Sequence, residues 1–347
     1  MRIIVDLMGG DNAPAETLKG AVWASQELDA EFVLVGDRNE IEALATQNNY
    51  DLSKMELIHA ESVITMEDDP ILPVRGKQDS SMSVALRMLA EGKGDAMVST
   101  GNTGALFTGA TLLVRKVKGV LRPGIGAILP LQNPVLLMDT GANVTVTEEN
   151  LEQFGVMGSA YMRKMYGIER PRVGLLNNGS ESCKGTALQQ AAYQRLSQNP
   201  DINFVGNVEG NTVAFDVCDV LVTDGFTGNI FLKGTEGLGK MLLGKLKSMF
   251  KEAPLGFVAY LTLKKQIKGL KKQFDSSEHG GAPILGVNKP VIKAHGSSNA
   301  KAFKNAIRQA INFASSGVNE EIGVAAQAYL ERKNALRAQK KQADQEN

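Results

Sequence analysis

A chain of 347 residues, 43% of them apolar, is long enough for one large or two ordinary domains around a sizeable core. Its 38 Lys plus Arg balance 38 Asp plus Glu, which argues against a general affinity for nucleic acid and confines any basic surface to a local patch. Only two cysteines, Cys183 and Cys218, occur, without CxxC spacing, alongside three histidines; this argues against a disulfide framework, a structural zinc or metal chemistry, and fits a reducing compartment.

The N-terminal apolar run is too short for a signal peptide and ends in acid and glycine. No stretch approaches the ~20 apolar residues that cross a bilayer, so an intracellular protein that does not span a membrane is expected.

Residues 2–5 predict a strand ending in the turn Asp6 to Asn12, which holds Gly9, Gly10 and Asp11; Ala13-Pro14 then opens a helix. Strands at 31–36 and 55–60 alternate with helical spacing at 16–26 and 39–47, the pattern of an α/β fold with a mainly parallel sheet. The polar stretch 62–78 reads as a solvated connection, or as a segment bringing Arg75 or Lys77 to an anionic substrate. Ser81 or Asp79 is the candidate cap of the helix that follows.

Asp95 to Phe107 then runs from a strand through Ser99, Thr100, Gly101, Asn102, Thr103 and Gly104 into a helix. Strands at 125–129 and 135–139 follow, the second ending in Asp139-Thr140-Gly141, and then a helix at 148–166. The strand 172–176 leads into the polar loop 177–186, which carries Asn178, Cys183, Lys184 and Gly185. The stretch Asp219 to Phe231 repeats the earlier pattern: aligned without gaps on 95–107, it shares Asp, Val, Gly, Thr, Gly and Phe, and supplies Asp224, Gly225, Thr227, Gly228 and Asn229. A strand feeding a helix through such a turn leaves free N–H groups at the helix N-terminus, which suit an anion, above all a phosphate. In an open α/β sheet, ligands sit beyond the carboxyl ends of the strands, so these turns are expected to converge on one site. Glycine and threonine also serve tight turns of any α/β protein, and Asp6, Asp11 and Asp224 are equally read as turn caps.

Residues 237–274 predict two lysine-rich amphipathic helices flanking an apolar knuckle, with nine lysines and one acid between Lys240 and Lys272. A membrane surface selects such an element, as does a partner subunit; Leu255, Phe257, Tyr260 and Leu261 are the candidate membrane contacts. A strand at 291–294 leads through His295 to Asn299 into another helix, and 329–347 reads as a charged helix fading into a polar end. The histidines, including His279 and His295, read as structural before catalytic.

The opening Asp6 to Asp11, the Ser99 to Gly104 turn, the loop from Asn177 to Gly185 and the stretch Asp224 to Asn229, in this order and followed by a basic hairpin, closely resemble the bacterial phosphate acyltransferases of phospholipid synthesis, the acyl-acyl carrier protein:phosphate transacylases. The resemblance covers essentially the whole chain. It implies a single domain over 1–347 with the hairpin inserted at 237–274. The implied fold is a three-layer α/β/α sandwich with a mainly parallel Rossmann-like sheet, related to phosphotransacetylases and isocitrate dehydrogenases. It further implies a homodimer, cytoplasmic and peripherally associated with the inner face of the cell membrane. The implied reaction moves a long-chain acyl group from acyl carrier protein to inorganic phosphate without a cofactor, giving acyl phosphate to a membrane acyltransferase acting on glycerol 3-phosphate.

The residues suit that chemistry. A thiolate leaves readily and phosphate is already ionised near neutrality, so positioning and charge stabilisation remain for the protein to supply. Lys184 and Asn229 are the candidate catalytic residues: Lys184 neutralises phosphate, and Asn229 donates to the oxyanion or orients phosphate. The backbone and hydroxyls around Ser99, Thr103, Gly104, Thr227 and Gly228 are the candidate phosphate cradle, with Asp6, Gly9, Gly10, Asp11, Thr100, Gly101, Asn102, Asn178, Asp224 and Gly225 completing the substrate-binding turns. Cys183 beside Lys184 raises a covalent route, which direct attack by phosphate makes unnecessary. A short-chain phosphotransacetylase using acyl-coenzyme A and a non-catalytic membrane-surface scaffold are the alternatives.

Overall fold

The structure, a computed structural model, describes residues 1–253, 255–273 and 280–346. Phe274 at the end of the predicted hairpin, His279 and Asn347 lie outside the described residues. The first half contains β1 (Arg2–Asp6), α1 (Ala15–Glu27), β2 (Glu31–Gly36), α2 (Arg38–Asn48), β3 (Met55–His59), α3 (Leu72–Arg75), α4 (Ser81–Ala90), β4 (Ala96–Ser99) and α5 (Thr103–Gly109). A π-helical stretch, Ala110–Arg115, extends α5. Next come β5 (Gly124–Leu129), β6 (Val135–Met138), α6 (Glu148–Tyr166), β7 (Arg172–Asn177), α7 (Ala187–Gln198), β8 (Asn203–Glu209) and β9 (Val220–Val222). The remainder is α8 (Gly225–Glu252), α9 (Gly256–Gln273), β10 (Ala282–Leu285), β11 (Val291–Lys293), α10 (Ala300–Ser315) and α11 (Val318–Glu346).

All eleven described strands join one sheet in the order β3-β2-β1-β4-β11-β10-β5-β6-β9-β7-β8. Short continuous runs such as Ile3-Ile4-Val5 and Ala96-Met97-Val98 build it because both faces are covered. Ile3 and Val5 enter one hydrophobic cluster and Ile4 another, as the two-residue period of a strand requires. On the first face one cluster is continuous from β1 to β7 and takes in Phe154 of α6 and Phe303 of α10. On the second face the core is divided, one part lying beneath α4 and α5 and the other beneath α8. The layers are therefore helix, sheet and helix, as expected.

Strand direction corrects one expectation. β3, β2, β1, β4 and β11 are parallel, as are β6, β9, β7 and β8. Between the sets, β10 is antiparallel to β11 and to β5, and β5 is antiparallel to β6. These reversals set the two parallel groups pointing opposite ways. The turns after β1 and β4 thus follow strands of one direction and those after β6, β7 and β9 strands of the other, yet residues of the turns after β4, β6 and β9 border one cleft, which the loop after β7 does not line.

Smaller differences have local causes. Ser80, not Ser81 or Asp79, caps α4 by accepting the Ser83 N–H at 3.3 Å, while Asp79 receives the Ser62 hydroxyl at 2.8 Å. The 62–78 segment includes the short helix α3. The first hairpin helix begins at Gly225, not near 237, because Asp224 caps one uninterrupted 28-residue helix. At the knuckle, a Cβ on Gly256 would lie 1.9 Å from the Phe250 carbonyl oxygen, and Phe250 meets Tyr260 edge to face at 6.0 Å. No described helix is long and apolar enough to cross a membrane.

Two glycines of α8 separate close packing from helix propensity. A Cβ on Gly228 would stand 1.9 Å from the Asp139 carbonyl oxygen, whereas one on Gly234 meets nothing within 4 Å. Gly228→Ala should destabilise by about 1–3 kcal/mol, and Gly234→Ala should stabilise by about 0.5–1 kcal/mol. Urea midpoints at constant slope measure both; equal shifts for the two variants would contradict the close approach at Gly228.

Candidate active site

Three turns are welded together at the end of the first parallel set. Asp6 is fully buried, and its carboxylate accepts the Ser99 hydroxyl at 2.6 Å and the Met8 N–H at 3.3 Å. Burial pushes this carboxyl above its ordinary range, opposed by the hydroxyls of Ser99 and Ser81. The Ser99 oxygen in turn accepts the Gly101 N–H at 3.0 Å, and the Thr100 hydroxyl donates to the Gly9 carbonyl. Gly9 fits only as glycine, since a Cβ there would come within 2.5 Å of the Gly101 Cα. Gly10 has a φ of +97°, and the Asp11 N–H donates to the Gly296 carbonyl at 2.9 Å, tying in the turn after β11.

Asn102 caps α5 by accepting the Ala105 N–H at 3.0 Å. Its amide donates to the carbonyls of Thr65, Met66 and Asp68 at 3.1, 3.0 and 3.2 Å, so the 62–78 segment folds onto this turn. Lys77 is held within that segment by Asp68 at 2.7 Å and the Val63 carbonyl at 3.0 Å, and Arg75 is exposed. Thr103 and Gly104 border the cleft described below.

The second wall begins at α8. Asp224 accepts the Thr227 N–H at 2.9 Å and the Thr227 hydroxyl at 2.7 Å, so it is a helix cap, the plainer of its two readings. The Gly225 N–H donates to the Asn143 carbonyl at 2.8 Å. Facing α8, the buried Asp139 carboxylate gathers the N–H groups of Ile125, Gly141, Ala142 and Asn143 and the Asn143 amide at 2.6–3.3 Å, fixing the turn after β6. Asn229 abuts that turn: a Cβ on Gly141 would lie 2.6 Å from its Nδ2.

Between these walls opens a cleft of about 480 Å³. Thr103 and Gly104 border it on one side, and Thr140, Gly141 and Asn229 on the other. Asn229, Leu232, Lys233, Glu236 and Lys240 of α8 share one helix face along it, as their three- and four-residue spacing requires. Ile125, Ala127, Ile128 and Pro130 contribute apolar surface, and Lys293, His295, Ser297 and Ser298 a polar rim. Of the two related turns, Thr103 and Gly104 of one and Asn229 of the other thus border a common cleft. A separate groove of about 580 Å³ at the start of β1, lined by Arg2, Glu56, Arg87, Glu91 and Lys93, has Arg2 paired with Glu56 and Lys93 with Glu91.

Lys184 and Asn178 are exposed and do not line the cleft. Their loop follows β7, the neighbour of β9, and so leaves the sheet at the end where α8 begins. The Asn177 amide donates to the Lys184 carbonyl at 3.2 Å, and Gln190 donates to the Cys183 carbonyl at 2.7 Å. Cys183 is exposed, and Cys218 is buried with its thiol pushed up to about 12, first by desolvation and then by Asp219.

Lys293 is the cleft residue that sequence reading passed over. The signal was a lysine inside the apolar run Val291-Ile-Lys-Ala, followed by a His-Gly-Ser-Ser turn into a helix. It is 8% exposed, and its ammonium donates to the Thr100 carbonyl at 3.2 Å and to the Ala294 carbonyl. Desolvation pulls its pKa down to about 8, opposed by the charges of Asp11 and Asp6. Among the described residues, no group of three or more His, Cys, Asp or Glu is arranged to hold a metal ion.

The chain shares its fold with a phosphotransacetylase from Streptococcus pyogenes (TM-score 0.62, 19% identity, 90% of this chain and 94% of that one). A branched-chain phosphotransacylase from Enterococcus faecalis V583 is similar in fold too (TM-score 0.55, 13% identity, 91% and 99%). In sequence, the phosphate acyltransferase of Acetivibrio thermocellus is 47% identical over 324 residues, covering 93% of this chain and 95% of the relative. That of Dictyoglomus turgidum is 43% identical over 324 residues, covering 93% and 96%. The model of the fatty acid synthesis protein family matches residues 1–321, and with relatives this similar along nearly its whole length the chain belongs to the phosphate acyltransferase family of fatty acid synthesis proteins and is a transferase.

Proposed function

We propose that the protein transfers a long-chain fatty acyl group from acyl carrier protein to inorganic phosphate, releasing acyl phosphate for phosphatidic acid synthesis. The observation that carries this reading is a single cleft in which apolar strand residues adjoin two glycine turns, Asn229 and a polar rim. A phosphate oxygen attacks the thioester carbonyl, the C–O bond forms as the C–S bond breaks, and the proton lost by phosphate ends on the departing thiolate. Neither step needs a strong base or acid. Asn229 donates to the developing oxyanion or orients phosphate, and preorganised donors of this kind cost no reorganisation at the moment of reaction. Lys184 adds positive charge from the loop beside the α8 N-terminus.

The α8–α9 hairpin extends this reading to a surface. Leu255 and Phe257 are 74% and 72% exposed at the knuckle, with Tyr260 and Leu261 beside them and Lys251, Lys264, Lys265, Lys268 and Lys271 close in sequence. Such an element rests in the headgroup region of an anionic leaflet. This gives a cytoplasmic enzyme held peripherally at the inner face of the membrane, where a glycerol 3-phosphate acyltransferase consumes the product. The same lysines offer a basic face to acyl carrier protein, and the hairpin offers a contact for a second subunit of a homodimer.

Phosphate-dependent release of carrier-protein thiol from palmitoyl-acyl carrier protein, with acyl phosphate trapped by hydroxylamine, tests the reaction; release with acyl-coenzyme A alone would point to the short-chain enzyme, and none with either to a scaffold. Asn229→Ala and Lys184→Ala should each lower turnover about 10²–10³-fold with the fold intact, and undiminished turnover removes the assignment of that residue. Cys183→Ser should stay active; its inactivation would favour an acyl-enzyme. Phe257→Glu with Leu261→Glu should abolish co-sedimentation with anionic vesicles, and persistent binding would place the membrane contact elsewhere.

A further inference from the structure

We propose that Lys293 is the cation that receives inorganic phosphate in the cleft, its Nζ donating to a phosphate oxygen; this deepens the phosphate acyltransferase reading above and rests on it. Lys293 ends β11 beside Ser99 of β4, so its side chain rises among the three welded turns. An ammonium carries three N–H donors. Two reach carbonyls, those of Thr100 and Ala294, which leaves one for a ligand in the cleft that Lys293 lines.

Among the described residues no carboxylate forms an ion pair with Lys293. Asp6 and Asp11 act on it only through their field, and Asp6 already accepts the hydroxyl of Ser99. A buried ammonium without an ionic partner costs several kcal/mol, so it either sheds its proton or meets an anion. The neighbours along the rim suit a phosphate: Thr103 and Gly104 at the start of α5, and His295, Ser297 and Ser298 after β11. The titratable groups facing this point are Asp6 and Asp11 from the β1 turn, His295 from its own turn, and Lys233, Glu236 and Lys240 from α8. Lys184, on its exposed loop, is a separate position.

The ordinary lysine value of 10.5 falls to about 8 here, so between those values the unfolded chain holds the proton that the folded chain has lost. Burial of this ammonium therefore weighs against folding below about pH 8, and the burden lifts as pH rises through that window. Bound phosphate opposes deprotonation. Inorganic phosphate is already mostly dianionic there, the second ionisation of phosphates lying at about 6 to 7, so binding near pH 8 to 9 draws a proton from solution onto Lys293.

Calorimetric titration of the full chain with inorganic phosphate alone, in two buffers of different ionisation enthalpy, reads that proton directly. Net uptake near pH 8 to 9, absent in Lys293→Met, is the expected result. In turnover, Lys293→Met should raise the KM for phosphate about tenfold or more, the worth of a lost charge-assisted hydrogen bond, with the acyl-donor KM unchanged. Lys293→Arg, which stays charged, should restore phosphate binding and remove its decline with pH. A purely structural lysine would instead lower stability or kcat and leave proton uptake and the phosphate KM as they were, which overturns the proposal. Proton uptake on phosphate binding that persists undiminished in Lys293→Met overturns it as well. Wild-type turnover with normal phosphate binding by Lys293→Met defeats this inference alone, whereas absence of phosphate-dependent thiol release by the wild type defeats the functional reading.

Discussion

Three successive antiparallel contacts, Ile292 of β11 opposite Pro283 of β10, Leu285 of β10 opposite Gly124 of β5, and Gly126 of β5 opposite Met138 of β6, turn one long sheet into two parallel sets that point opposite ways. A parallel sheet of this length would present all its carboxyl-end turns along one edge. Here the reversal puts the Ser99 to Gly104 turn after a strand of one direction and the α8 N-terminus after a strand of the other, with β10 and β5 between. The core on that face is divided over the same strands, one part beneath α5 and the other beneath α8. The space left between is the cleft, so its two walls belong to the two halves of the sheet.

Within each wall, glycines and buried polar groups do different work. Gly9 against Gly101 and Gly228 against the Asp139 carbonyl set backbone on backbone, closer than any side chain permits. Asp6 and Asp139 then collect hydroxyls and N–H groups and hold the turns rigid. Ser99 and Thr227 spend their hydroxyls on Asp6 and Asp224, which makes both of them supports of the turns. Thr103, Asn229 and Lys293 border the cleft instead, and it is these that we propose to contact substrate.

A single helix connects the cleft with the apolar knuckle. α8 spans 28 residues, about 42 Å at 1.5 Å per residue. Its first turn is anchored by Asp224, its cleft face carries Asn229 through Lys240, and its far end enters the turn that only Gly256 permits. The cleft and the exposed apolar residues Leu255 and Phe257 thus lie at opposite ends of one helix.

The sequence determined what local spacing determines. Apolar runs between helical patterns gave the α/β class, the glycine turns lay where backbones approach, and the basic hairpin stood out against a neutral chain. Thr103, Gly104 and Asn229 of the cleft were legible because a repeated turn exposes its own chemistry. Strand direction was not legible, because it depends on which distant segments pair, and Pro283 disguised β10 as a connection in a strand that the sheet places at its centre. The hydroxyl partners of Ser99 and the burial of Lys293 were hidden for the same reason: a lysine in a short apolar run reads as a surface residue until β4, the β1 turn and α10 close around it. The tertiary structure alone decided which of the polar residues hold the turns and which are left facing the cleft.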